Sequence, residues 1–170
     1  MSPLSGHAEY LGKESEELIP QVESSFAAIR RPLLAQLQKH RAFLADNIRC
    51  DVGAALALYG VRAELDDAES LAGVCRDARM AELDRLIGAL ESEDKSALRT
   101  LITGLVESMR SAIALCDRAR GSGVALSSAD LRIVVEGDTA FRLNRYLLEM
   151  IHRVLEPLQP KSLLDTRAKR

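Results

Sequence analysis

A chain of 170 residues with 47% hydrophobic residues is long enough to bury its own core and too apolar to be wholly disordered. Only 4% of it is aromatic and it has no Trp, so the core must be aliphatic, which suits helix-on-helix packing better than a sheet. A net charge of −2 argues against a dedicated nucleic-acid binder, whose hold on phosphates rests on Lys and Arg. No run approaches the ~20 apolar residues of a membrane span.

Residues 1–20 read as an acidic N-terminal segment. Its opening, Met-Ser-Pro-Leu-Ser-Gly-His, lacks the basic and apolar regions of a secretory signal, so a cytoplasmic location is expected. A short helix is expected from about His7 to Ile19, ended by Pro20. Val22, Phe26, Ile29, Leu33, Leu37, Leu44 and Ile48 then recur at helical spacing, with Pro32 either kinking one helix or opening a new one. Asp51 is a suitable N-cap and Gly60 a suitable stop for the small apolar run between them. The acids Glu64, Asp66, Asp67 and Glu69 suit the start of a helix running to about Leu90. A polar turn follows at residues 91–94.

Leu98, Leu101, Ile102, Leu105, Val106, Met109, Ile113 and Cys116 form the strongest apolar stripe, wide enough for a core or for a core plus a homodimer seam. Gly121 and Gly123 mark its end. Ser127 to Asp130 reads as an N-cap region, opening a helix to about Val135; the β-branched run at residues 131–135 leaves a short strand as the alternative. Gly137 is expected to break this helix, and Asp138 to cap a last one carrying Phe141, Leu143, Tyr146, Leu147, Met150, Ile151, Val154 and Leu155 inward. Pro157 and Pro160 end it, before a basic tail at residues 158–170 that is expected to be mobile.

Charge is segregated: residues 1–29 carry net −4, residues 30–49 net +4 and residues 139–170 net +4. Such blocks suit solvated helix faces or a docking surface. Cys50, Cys75 and Cys116 are odd in number and widely spaced, which supports neither a disulfide framework nor a zinc site. Arg49 and Arg76 beside the first two would favour thiolate. Of the three histidines only His152 has an acid three residues before it, Glu149, and a di-metal bundle needs two such pairs. No metal, cofactor or catalytic set is expected.

Two patterns suggest nucleic acid. Residues 128–150 resemble a helix–turn–helix with Gly137 at the turn and Arg142, Asn144 and Arg145 opening the second helix, residue types that read base edges. Ile133 and Asp138 depart from it, standing where a small and an apolar residue belong. Arg145 and His152, seven apart on one helix side, resemble the Arg–His element of HEPN-type ribonucleases, which are also helical bundles. That resemblance covers eight residues and implies metal-independent cleavage of a phosphodiester in a dimer cleft. Tyr146 stands where the family carries a polar residue.

The expected architecture is all-α, a single-domain bundle of about five to seven helices over residues 21–157. The expected function is that of a non-enzymatic protein–protein interaction module: an adaptor, regulator or chaperone-like partner in a bacterial assembly, the Ala-, Arg- and Leu-rich usage suggesting that source. A DNA-binding regulator and a HEPN-like ribonuclease are the alternatives.

Overall fold

The computed structural model describes residues 3–48, 50–63 and 68–158, and six α-helices account for most of them. They are α1 (Pro3–Ser24), α2 (Phe26–Asn47), α3 (Val52–Tyr59), α4 (Ala68–Glu91), α5 (Ser96–Ser122) and α6 (Ser128–Leu155), with a single 3-10 turn at Glu156–Leu158. The chain is thus an all-α bundle, as its composition implies. No strand occurs among the described residues; Ala63 and Leu126 make one isolated parallel bridge. The β-branched run 131–135 is helical.

Local chemistry sets several boundaries where the sequence placed them. Asp51 caps α3 by accepting from the Ala54 N–H at 3.0 Å, and Gly60 ends it in the left-handed conformation at φ 68°. Ser127 and Asp130 form a reciprocal capping box on α6. The end of α5 falls at Gly123, φ 70°, rather than at Gly121, which stays helical.

The breaks expected at Pro20 and Gly137 are absent, and at Pro32 the alternative of one helix running through holds. Pro20 lies inside α1 and Pro32 inside α2, both on exposed faces. An interior proline costs roughly 3 kcal/mol. The buried stripes Leu11–Leu18–Val22 and Ile29–Leu33–Leu37 continue past each proline, and that apolar burial outweighs the missing bond. The chain turns instead at Ser25, φ −106° and ψ 15°. From Pro3 on, the acidic N-terminal stretch accordingly belongs to a helix that runs on to Ser24 and packs on α5 and α6. Gly137 is the third case. α6 runs unbroken from Ser128 to Leu155, so Gly137 makes no turn and Asp138 caps nothing.

The interior explains Gly137. A Cβ there would stand 2.2 Å from the Cβ of Ala112 and 3.0 Å from the Ser108 carbonyl oxygen on α5. Glycine is what lets α5 and α6 press together along their length. α6 is the central helix, packed against α5, α4, α2 and α1. α5 and α6 are antiparallel, as are α4 and α5 across the turn at residues 92–95.

Ion pairs fix the outer helices. Arg99 of α5 pairs with Glu23, and Arg110 with Glu16 at 3.8 Å, so α1 descends α5 toward the α4–α5 turn. Arg30 bonds the Leu90 carbonyl and Arg41 grips Asp84 twice at 2.7 Å, so α2 climbs back along α4. The α1–α2 pair is therefore a splayed V. Its arms barely touch and α6 lies between them.

Two apolar clusters fill the bundle. The larger runs from Ala8 to Leu155 and uses α1, α2, α4, α5 and α6. The smaller gathers Val52, Leu56 and Tyr59 of α3 with Cys75, Cys116, Leu131 and Val134. The stripe of α5 is consumed within the chain: Leu98, Ile102, Leu105, Val106, Met109 and Cys116 are buried, Leu101 and Ile113 half-buried.

Candidate functional site

Several openings remain in this packing, and two stand out, by size or by the aromatics around them. One lies between α4 and α5, a cavity of about 590 Å³ lined by Arg79, Glu82, Leu86, Thr100, Gly104 and Ser108 among others. Arg79, only 8% exposed, is its most prominent charge. Four of its five N–H donors are spent within the protein: Nε on Thr139 at 3.3 Å, Nη1 on Glu82 at 2.9 Å, and Nη2 on the Glu136 carbonyl at 3.0 Å and on Ser108 at 3.3 Å. This group staples α4, α5 and α6 and is committed chiefly to the fold, with a single Nη1–H left over.

The other opening is the V, where α6 reaches solvent through Arg145, Glu149 and His152. Asp138, Arg142, Arg145, Glu149 and His152 recur at spacings of three and four, so they share a face. Two cavities flank it. Toward α2 and α3, about 330 Å³ is lined by Asn47, Leu58, Phe141, Arg142, Arg145 and Tyr146, with Asp138 at the base. Toward α1, about 300 Å³ is lined by Tyr10, Lys13, Glu14, Glu17, His152 and Leu155, with Leu18 and Gln21.

The V also collects aromatics. The chain holds three Phe and three Tyr. Four of these six stand here: Tyr10 at 65% exposure, Phe43 at 53%, and the half-buried Phe141 and Tyr146. Phe43 meets Tyr146 edge-on, ring centres 5.6 Å apart. Leu58, 50% exposed, adds to the patch. Only Phe26 and Tyr59 are fully buried. An aliphatic core has thus left most of its rings at the surface, on one side.

The residues singled out from sequence are dispersed. Arg142 is half-buried and donates Nε to Asp138 at 2.9 Å. Asn144 is fully buried; its Nδ2 reaches Ser15 of α1 at 3.4 Å and its Oδ1 has no partner among the described residues. Arg145 is exposed and meets Glu149 at 4.0 Å. With Asn144 pointing inward, the trio cannot read bases together, and with α6 unbroken the helix–turn–helix geometry is absent. His152 engages Glu14 of α1, at the other cavity from Arg145. The Arg–His pair shares a helix side but not a cleft.

The thiols are quiet. Burial pushes all three up; for Cys50 the neighbouring Asp138 carboxylate adds to it, for Cys75 Glu136, and for Cys116 Asp117, taking Cys116 to about 11. Arg76 donates to Asp77 instead of favouring a thiolate at Cys75. Arg49 and the acids at residues 64–67 lie outside the described residues, as does the tail beyond residue 158. Among the described residues no group of His, Cys, Asp and Glu could hold a metal ion, and no helix is long and apolar enough to cross a membrane.

What sequence reading missed is the patch itself. Phe43 is the one large apolar residue of its segment that falls off the buried stripe Leu37–Leu44–Ile48, and that displacement was the available signal. No known protein family, no curated protein and no solved structure matches the chain.

Proposed function

We propose that this protein is a non-enzymatic interaction module that binds another protein across the V between α1 and α2. The observation that carries this reading is the gathering of Phe43, Phe141 and Tyr146 beside Arg142 and Arg145, with Tyr10 at the other cavity of the V, in a chain that has few aromatics to spend. Aromatic residues and Arg are the types enriched where protein interfaces concentrate their energy. Phe141, Tyr146 and both arginines stand on α6, which is backed by α4 and α5 and flanked by α1 and α2. Three free thiols suit work in a reducing compartment.

Affinity capture from native lysate tests this. The bait is the full chain, compared with a variant carrying Phe43→Ser, Leu58→Ser and Arg145→Glu, all exposed positions. One stoichiometric protein retained by the parent and lost by the variant is the expected result. Capture of nothing, or equal capture by both, overturns it.

A further inference from the structure

We infer that the cavity between α2, α3 and α6 takes a short acidic–apolar segment of a partner protein: a carboxylate side chain with a bulky apolar residue beside it. This rests on the interaction reading above and names the partner's chemistry.

The charge side of the argument comes from unspent donors. Arg142 commits Nε to Asp138, and among the described residues its Nη1 and Nη2 have no acceptor. Arg145, one turn on, meets Glu149 only at the 4.0 Å limit. Two guanidiniums three residues apart on a helix present their forks to the same space, and the cavity they line is the one bounded by Asn47 and Leu58. A carboxylate matches such forks in shape and charge. Asp138 at the base is offset by its pair with Arg142, so the lining keeps a net positive charge, carried by Arg145.

The apolar side comes from Phe43 and Leu58. Both are half-exposed on α2 and α3; Leu58 and Tyr146 line the cavity, and Phe43 meets Tyr146 edge-on beside it. Asn47 donates to the Phe43 carbonyl at 2.8 Å, which leaves its Oδ1 to accept a backbone N–H from an extended peptide. At about 330 Å³ the site is at the small end of ligand clefts, a size for one or two side chains.

A nucleic-acid backbone fits poorly. Its charges repeat every ~3.4 Å along each strand and need a basic stripe. Here Glu149 interrupts the stripe and Phe43 and Leu58 offer phosphates nothing.

Selection from a displayed library of random 16-residue peptides against the immobilised full chain tests the inference. Enriched peptides should share Asp or Glu within one to four residues of Leu, Ile, Phe or Met. A synthetic copy of the most enriched peptide, read by fluorescence anisotropy, should bind Arg145→Glu at least about tenfold more weakly, the loss of one charge-assisted contact. Selection against Arg145→Glu should enrich Lys or Arg instead. Circular dichroism confirms that the variant keeps its helices. Peptides without an acid, or indifference to Arg145→Glu, overturn the inference. If such peptides still depend on Phe43 and Leu58, the interaction reading stands while this one falls. Enrichment of nothing overturns this inference alone, since capture of a folded partner is read separately. Displacement of the peptide by a single-stranded oligo-dT at matched ionic strength overturns it in favour of nucleic acid.

Discussion

Arg79 and Asn144 are both polar groups under α6, and they differ in how well they are satisfied. Every Arg79 nitrogen has a partner, so Arg79→Ala cuts the tie between α4, α5 and α6 and leaves the Glu82 carboxylate unpaired beside a cavity. The expected loss is about 3 kcal/mol, read by urea unfolding, with little rescue from Lys because the fork geometry is gone. Asn144 is the reverse case: its Oδ1 is buried and unpaired, and Ser15 already donates to the Leu11 carbonyl at 2.7 Å. Asn144→Leu removes an unmet acceptor at similar volume, so stability is expected to hold or rise by about 1 kcal/mol. A marked drop would show that Asn144 seats α1 more strongly than its bonds indicate. Neither role was legible in the sequence. Arg142, Asn144 and Arg145 look alike as a polar run, and only the packing of α1 against α6 sends the middle one inward.

At the scale of elements, the helix ends that sequence revealed are those decided locally. Asp51, Gly60 and the Ser127–Asp130 box act on backbone within one turn of themselves. Gly137 was misread because glycine serves two purposes that look identical in one dimension. It permits a turn, and it permits close approach of another helix. Ala112 decides which, and it belongs to α5. Gly137→Ala therefore sets a helix-propensity gain of up to about 1 kcal/mol against overpacking of 1–3 kcal/mol. Because the Cβ–Cβ approach of 2.2 Å involves a short side chain close to the backbone, α5 must shift and destabilisation is expected. A raised melting temperature would refute that packing. Pro20 was misread for a related reason: an apolar stripe on the far side of the helix holds it together where a bond is missing.

For the molecule as a whole, α6 and Ile113 of α5 join the two apolar clusters. Leu131→Ala in the smaller cluster and Leu143→Ala in the larger should each lower one common unfolding transition, by about 2–5 kcal/mol. Two separate transitions in calorimetry would show the clusters to be independent. Acid should act through the pairs that pin the V. Arg99 holds the Glu23 carboxyl and Arg41 the Asp84 carboxyl below the usual carboxylate range, chiefly by hydrogen bonding. A depressed folded value gives stability that is complete above the unfolded value, about 4, and fades as pH falls through the folded one. Arg41→Ala should thus differ from the parent near pH 7 and converge with it near pH 2; a constant difference would exclude this linkage. All-α class and the run of long helices were legible because burial repeats at helical period. The V was not, because its walls are set by which helix each Arg reaches.

The scarcity of rings has an optical consequence. Without Trp, emission comes from three tyrosines. Tyr59 is sealed in the smaller cluster, whereas Tyr10 and Tyr146 flank the two cavities of the V. The unlabelled chain is therefore its own sensor. A ligand seated on the V alters the light from two of three emitters, and one carrying an indole draws their excitation to itself at longer wavelength.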